Sequence, residues 1–332
     1  MDTAQAKNSN LDKYLILPDV PKQSILNEPG MLLMYAHGKV GKTTIIGDLT
    51  CYLDAEGKSL GVIVDLEHGG EYVDGTVIEF NKELPIHERY EHLVKMFTTL
   101  EAYKKKFGKN RYEYGCVDSL SVLTTLAEYA ATIRYMGTTQ GKQWNRVMDK
   151  NGTPIPLKDT KGVTVMGGTA GNRKVVYRRA TKPTQKAYQN IITMAEGYGY
   201  GWVRDEFIDL VYRFGRCFDK LILIAHTKTK ISEASNNQDE AKGSEVDLQG
   251  KLRDAIPRLV DATCKLTVNY EVRTASFKTS DSSTGMGGRV ARLEGKDIEL
   301  SKKLPDGSIQ VNWQEIYPSL ANADKMTFPP KV

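Results

Sequence analysis

The chain has 332 residues, room for one large domain or two ordinary ones with a sizeable core. Hydrophobic residues make up 40% and charged residues 26%, which excludes a mostly disordered chain, and 29 glycines without a Gly-X-Y period exclude a fibrous one. The net charge of +5, from 46 basic against 41 acidic residues, permits a polyanionic partner without requiring one, and four scattered cysteines (Cys51, Cys116, Cys217, Cys264) exclude a disulfide scaffold or zinc ribbon.

Residues 1–30 are polar, carry Pro18, Pro21 and Pro29, and read as a lead-in with one short strand at Tyr14–Leu17. No leader-like apolar segment stands at the start, and the longest strongly apolar run, about Leu221–Ala225, is too short to span a bilayer. The expected setting is therefore cytoplasmic, with no membrane partner.

Met31–Tyr35 is the first compact apolar run. After a glycine-rich turn, Thr43–Leu53 has helical spacing, with Ile45, Ile46, Leu49 and Leu53 on one stripe. Leu60–Val64 is a second short strand, ending in Asp65. Ile86–Phe107 is helical, with Leu93, Met96, Phe97 and Leu100 in phase. Tyr112–Val117 reads as a strand ending in Asp118, and Val122–Tyr135 as a helix. Further on come a helix at Val203–Phe214, a buried strand at Lys220–Ile224 ending in Ala225-His226, a short helix at Leu252–Val260 and a strand at Ala262–Asn269. Two segments break the rhythm: 137–201, rich in glycine and poor in large aliphatics, and 280–288, expected to be a flexible loop. The tail from Leu304 carries four prolines and Trp313, Ile316 and Leu320 as packing residues. No internal repeat is evident. The expected division is a lead-in over 1–30, a core over 31–270 containing the 137–201 insertion, and C-terminal strands and tail over 271–332.

Short apolar strands alternating with helices predict an α/β fold with a mostly parallel central sheet flanked by helices. In such sheets ligands bind beyond the carboxyl ends of the strands. Gly38, Asp65, Asp118 and His226 stand at four such ends and are expected to share one crevice.

The string Ala36-His37-Gly38-Lys39-Val40-Gly41-Lys42-Thr43-Thr44 fits the phosphate-loop pattern GxxxxGK[ST], with Ala36 in place of the first glycine. A backbone curling around a phosphate needs small residues, and a helix N-terminus behind it adds positive potential. Gly38 and Gly41 are expected to allow the curl. Lys42 would reach the β- and γ-phosphates, Thr43 would ligate Mg²⁺, and Thr44 is placed for the α-phosphate. Ala36 is tolerated where φ stays negative. His37 and Lys39 read as solvated loop side chains or as nucleotide contacts.

Val62-Ile63-Val64-Asp65-Leu66-Glu67-His68 and Tyr114-Gly115-Cys116-Val117-Asp118-Ser119 end the next two strands. With the phosphate loop, this pairing resembles the RecA-type core ATPases. The resemblance implies Glu67 as the general base that polarises water, with Asp65 and Glu71 as alternatives, and Asp118 as the carboxylate associated with Mg²⁺. It further implies His226, at the end of Leu221–Ala225, as a γ-phosphate sensor. The closest likeness is to a phage group of RecA-like ATPases implicated in single-strand annealing and recombination. It is carried by the strings above and by Leu248-Gln249-Gly250-Lys251-Leu252 and Leu259-Val260-Asp261. It spans about 30–270 apart from 137–200, and implies a host cytoplasm if the chain is phage-encoded.

In that family, mobile loops after the Walker B helix and the sensor strand line a DNA channel. Segment 137–201 carries Lys142, Arg146, Arg173, Lys174, Arg178 and Arg179 among eleven cations, with Trp144, Tyr177 and Tyr188 interleaved. Cations with stacking rings suit single-stranded nucleic acid. The loop over 228–247 is of mixed sign. A cation acting across a subunit boundary would be one of Arg253, Arg258, Arg273, Lys278, Arg289 and Arg292, in a ring or a filament. The implied function is a Mg²⁺- and ATP-dependent ATPase acting on single-stranded DNA. The alternatives are a nucleotide-gated binding or annealing module with negligible turnover and a hexameric DNA translocase.

Overall fold

A computed structural model describes residues 27–141, 147, 149, 151, 153, 155–168, 173–178, 190–194, 197–229, 244–278 and 287–328. The expected strand at Tyr14–Leu17, most of 280–288, and Lys142, Trp144, Arg146, Arg179 and Tyr188 lie outside these residues.

In chain order the elements are β1 (Met31–Ala36), α1 (Lys42–Leu49), β2 (Tyr52–Leu53), β3 (Gly61–Asp65), β4 (Val77–Glu79), α2 (Ile86–Phe107), β5 (Tyr112–Asp118) and α3 (Leu120–Gly137). They continue with β6 (Met166–Gly167), β7 (Lys174–Val175), α4 (Tyr198–Cys217), β8 (Phe218–Thr229), β9 (Ser244–Val246), α5 (Leu252–Leu259), β10 (Ala262–Asn269) and β11 (Val272–Ser276). The last are β12 (Gly287–Gly288), β13 (Asp297–Lys303), β14 (Ile309–Val311) and β15 (Asp324–Lys325).

One sheet dominates, in the order β14-β13-β11-β10-β1-β8-β5-β3-β4. From β10 to β4 every neighbour is parallel, and from β10 through β14 the strands turn antiparallel. This is the mostly parallel α/β architecture expected. The sheet also runs on across residue 270, because β11 pairs with β10 from Lys265↔Ser276 to Asn269↔Val272.

Side chains alternate across the strands, so each strand feeds two cores. Leu33, Tyr35, Val62, Val64, Leu221 and Leu223 pack on one face with α2, α3 and α4. Leu32, Met34, Ile63, Cys116, Ile222 and Ile224 pack on the other with α1 and the C-terminal segment. There Trp313, Ile316, Tyr317 and Leu320 are all buried, and the Trp313 indole donates to the Ile45 carbonyl of α1 at 3.0 Å.

The expected helix over Thr43–Leu53 is shorter, since α1 ends at Leu49 and Tyr52–Leu53 pairs antiparallel with β15. The C-terminal strand captures the residues that helical spacing had claimed. Conversely, α4 runs well beyond Val203–Phe214 at both ends, because Gly199 and Gly201 sit inside it without interrupting the backbone ladder.

Segment 137–201, expected to be a flexible insertion, has a hydrogen-bonded β arrangement in its described part. Val147 donates to Arg178, Leu157 to Val176, and Val176 to Val165. Asp159 accepts the amides of Lys161 and Val163, both at 2.9 Å, as Asp149 does for Asn151 and Thr153 at 2.8 and 2.9 Å. Asp-anchored turns ten residues apart thus organise this arm, a local near-repeat where none was expected.

Candidate functional site

Strand β1 delivers the phosphate loop to the carboxyl edge of the sheet, and α1 starts directly behind it at Lys42. The two left-handed positions in the loop are Lys39, at φ 64°, and Gly41, at φ 90°. Gly38, expected to carry part of the curl, has no positive φ, and a Cβ there would meet nothing within 4 Å. Gly41 does need glycine, because its φ of 90° strains any residue with a side chain, and a Cβ would also press on Arg273 at 2.8 Å from Nε. Ala36 ends the strand fully buried with a negative φ, so the missing first glycine is not needed. His37 and Lys39 are exposed, Val40 is buried and Thr44 is half-buried.

Lys42 is 6% exposed. Its ammonium lies 3.0 Å from the His37 carbonyl, 3.4 Å from that of Ala36 and 3.3 Å from His226 Nδ1. Burial pulls the Lys42 pKa below its ordinary value, against the opposing charges of Asp118 and Glu67. Thr43 Oγ1 donates to Asp118 Oδ2 at 2.8 Å. Asp118 is 2% exposed, and burial pushes its carboxyl up to about 6, the Thr43 bond and Lys42 opposing while the Glu67 and Asp65 charges add to the rise.

Glu67 faces these groups from the loop after β3. Its carboxylate accepts from Ser119 Oγ and lies 3.1 Å, by both oxygens, from His226 Nε2. Burial would raise its pKa, but the His226 and Ser119 hydrogen bonds and the Lys42 charge outweigh that and hold it below the usual carboxylate range. The pairing register explains the convergence: Ala36 lies beside His226, and Asp65 beside Asp118. Three strand ends and one interior position thus bring Lys42, Thr43, Asp118, Glu67 and His226 into one contiguous cluster; the strand expected to end at Ala225-His226 runs on to Thr229, because its last residues pair with β9.

Asp65 is the exception among the strand-end groups. It is fully buried and accepts the amides of Glu67, Gly69 and Gly70 at 3.2, 3.1 and 2.6 Å, so its carboxylate shapes the loop that presents Glu67. Glu71, the other alternative to Glu67, pairs with His68 at 3.1 Å on the surface.

Of the cations considered for action across a subunit boundary, Arg273 donates through Nε to the Val40 carbonyl at 2.8 Å and braces the phosphate loop from within the same chain. Arg292 reaches the carbonyls of Asn27, Glu315 and Ile316. Arg289 binds the Arg258 carbonyl and pairs with Asp261, Lys278 pairs with Asp297, and Arg253 contacts Asp254. Arg258 is exposed on α5. Sequence reasoning missed the bracing role of Arg273, whose partner lies 233 residues away and leaves no local signal.

In the 147–178 arm, Lys158, Lys161, Arg173, Lys174 and Arg178 are exposed, while Tyr177 is half-buried and bridged to Pro156. Among the described residues no cluster of three or more His, Cys, Asp or Glu side chains could hold a metal, and no helix is long and apolar enough to cross a membrane. The half-buried Thr43 hydroxyl and the buried Asp118 carboxylate nonetheless fit Mg²⁺ bound to a phosphate. Mg²⁺ takes few protein ligands, keeps several waters and draws the rest from substrate oxygens.

The AAA domain family matches residues 174–297, a span that leaves out the phosphate loop, Glu67 and Asp118. No curated protein matches the sequence. Among solved structures, a KaiC-like protein from the hyperthermophilic archaeon Pyrococcus horikoshii OT3 aligns at 11% identity with a TM-score of 0.36, covering 85% of this chain and 89% of that one. The RadB recombinase aligns at 12% identity with a TM-score of 0.36, covering 85% and 90%.

Proposed function

We propose that this chain is a RecA-like, Mg²⁺-dependent ATPase of phage type that self-associates in a ring or filament and acts on single-stranded DNA. The observation that carries the nucleotide reading is the single cluster formed by Lys42, Thr43, Asp118, Glu67 and His226 at the carboxyl edge of the sheet. ATP hydrolysis needs one carboxylate by the metal and a second near the terminal phosphate to orient water. Asp118, paired with Thr43, supports the first role, and Glu67, held beside Lys42 through His226, supports the second. Bound Mg²⁺ would neutralise phosphate charge, while Lys42 would bind the β- and γ-oxygens and Glu67 would hold the attacking water by its proton. The phage setting rests on the motif set around Ala36–Thr44, Val62–His68 and Val117–Ser119. The five exposed arm cations support a phosphate-backbone partner bound by charge.

A second reading, a nucleotide-gated DNA-binding module with negligible turnover, draws on Glu67 being engaged by both His226 and Ser119. Phosphate release measured with and without single-stranded DNA at several salt concentrations separates the two. Lys42→Ala is expected to abolish nucleotide binding or turnover. Glu67→Gln is expected to keep nucleotide binding and lose about 10²–10⁴-fold in turnover. Replacing Lys158, Lys161, Arg173 and Lys174 by Ala is expected to flatten the log–log salt dependence of DNA binding by roughly 0.7 per lost phosphate contact. Normal turnover in Glu67→Gln would overturn the base assignment, and an unchanged salt slope would remove the arm from DNA binding.

A further inference from the structure

Resting on the nucleotide reading above, we propose that His226 is a positioning residue that couples Lys42 to Glu67. Through one ring tautomer it restrains both, and a terminal phosphate undoes the restraint by competing for Lys42. The contacts form an unbroken chain: Lys42 Nζ to His226 Nδ1 at 3.3 Å, His226 Nε2 to the Glu67 oxygens at 3.1 Å, and Ser119 Oγ to Glu67 Oε1.

The hydrogen-bond inventory fixes the direction of this chain. A lysine ammonium donates and cannot accept, so its contact with Nδ1 requires a bare lone pair on that nitrogen. A carboxylate accepts and cannot donate, so the contact with Glu67 requires the proton on Nε2. Only the neutral ring with its proton on Nε2 satisfies both. The other neutral tautomer would set donor against donor at Lys42 and lone pair against carboxylate at Glu67. A doubly protonated ring would set cation against cation at Lys42.

Two consequences follow for the reaction. Lys42 directs its protons at the carbonyls of Ala36 and His37 and at His226, so a nucleotide phosphate must displace these partners to engage it. Glu67, the group assigned to orient water, accepts from His226 and Ser119, which hold its carboxylate in place. Once Lys42 turns to a phosphate, Nδ1 loses its donor, and of the two contacts that hold the ring in place only the one to Glu67 is left. The ring can then leave Glu67, whose carboxylate becomes available to water. This differs from a sensor that donates directly to the phosphate, because in this tautomer the only ring N–H is engaged with Glu67.

The test has two arms on the full-length protein. In the first, long-range ¹H–¹⁵N spectra of histidine-labelled protein, with His226 assigned by its loss in His226→Asn, report the tautomer directly. The expected result is the neutral Nε2–H form without nucleotide, and a changed His226 pattern on saturation with Mg²⁺ and a non-hydrolysable ATP analogue. A Nδ1–H form, or signals that do not move when the analogue binds, overturns the proposal. In the second arm, His226→Asn offers an amide oxygen near the Nδ1 position and gives up Glu67, while His226→Gln reaches Glu67 and gives up Lys42. The expected split is a several-fold rise in DNA-independent kcat at unchanged KM for His226→Asn, and a several-fold lower KM without a higher kcat for His226→Gln. Equal losses of kcat at unchanged KM in both variants overturn the coupling. Absence of both turnover and analogue binding in the wild-type protein sinks the ATPase reading itself, a result distinct from either.

Discussion

Asp118 combines two demands that conflict at the scale of one residue. Its carboxylate is nearly fully buried, its carboxyl is pushed up to about 6 by burial, and the Thr43 hydroxyl is the one hydrogen bond at that carboxylate opposing the rise. An acid whose folded pKa lies above its unfolded value destabilises the fold once ionised. That cost is full above the folded pKa and disappears below the unfolded one. In metal-free buffer, Asp118→Asn is therefore expected to raise stability at pH 7 by on the order of 3 kcal/mol, with the gain fading as pH falls from about 6 to about 4. Urea melts across that pH range check it, and a gain independent of pH would show that ionisation of Asp118 is not the cause. The same variant is expected to lose Mg²⁺-dependent nucleotide binding. That Lys42, Thr43, Glu67, Asp118 and His226 would come together was legible in the sequence, because each lies in or just after an apolar strand or belongs to one continuous string. Asp65 was legible as a strand end but not as the acceptor of three loop amides, and Arg273 not as a brace of the phosphate loop. Those roles depend on how a backbone turns, and no residue spacing records that.

At the scale of elements, α1 is only eight residues long and derives little stability from its own propensity. It is held from outside. Trp313 is fully buried and donates to Ile45, Lys325 pairs with Asp48 at 2.6 Å, and β15 closes on β2. Trp313→Ala is expected to cost about 3–5 kcal/mol and to loosen the helix that carries Lys42 and Thr43. Mg²⁺ with an ATP analogue should recover part of the loss, since ligand binding favours the folded state. A change below about 1 kcal/mol in the urea midpoint analysis would show that the C-terminal segment does not support α1. Helical spacing located α2 to the residue and strand patterns located β5 and β10, because those elements bury a regular face. The end of α1 and the arm over 147–178 were misjudged for one reason. Each is defined by a partner distant in sequence or by turns in which Asp carboxylates hold backbone amides, as at Asp54, Asp149 and Asp159.

For the whole molecule, the informative feature is that the two cores share a single sheet. Strand β10 is the hinge between its parallel and antiparallel halves, hydrogen-bonded to β1 on one side and β11 on the other. The second core draws Leu32, Met34, Ile222 and Ile224 from the parallel strands and Ala275, Leu300, Trp313 and Tyr317 from beyond residue 270. A boundary near 270, where the resemblance to RecA-type ATPases ends, would therefore cut through one packed layer and strip the Arg273 brace from the phosphate loop. A chain ending at residue 270 is expected to expose that apolar face, to lose a cooperative thermal transition and to bind no nucleotide, whereas the full chain should melt its two cores together. Differential scanning calorimetry with hydrogen exchange on Leu32–Met34 and Ile222–Ile224 distinguishes the cases. Retention of a sharp transition and of nucleotide binding in the shortened chain would mean that the parallel half is a self-sufficient unit and the C-terminal strands an appendage.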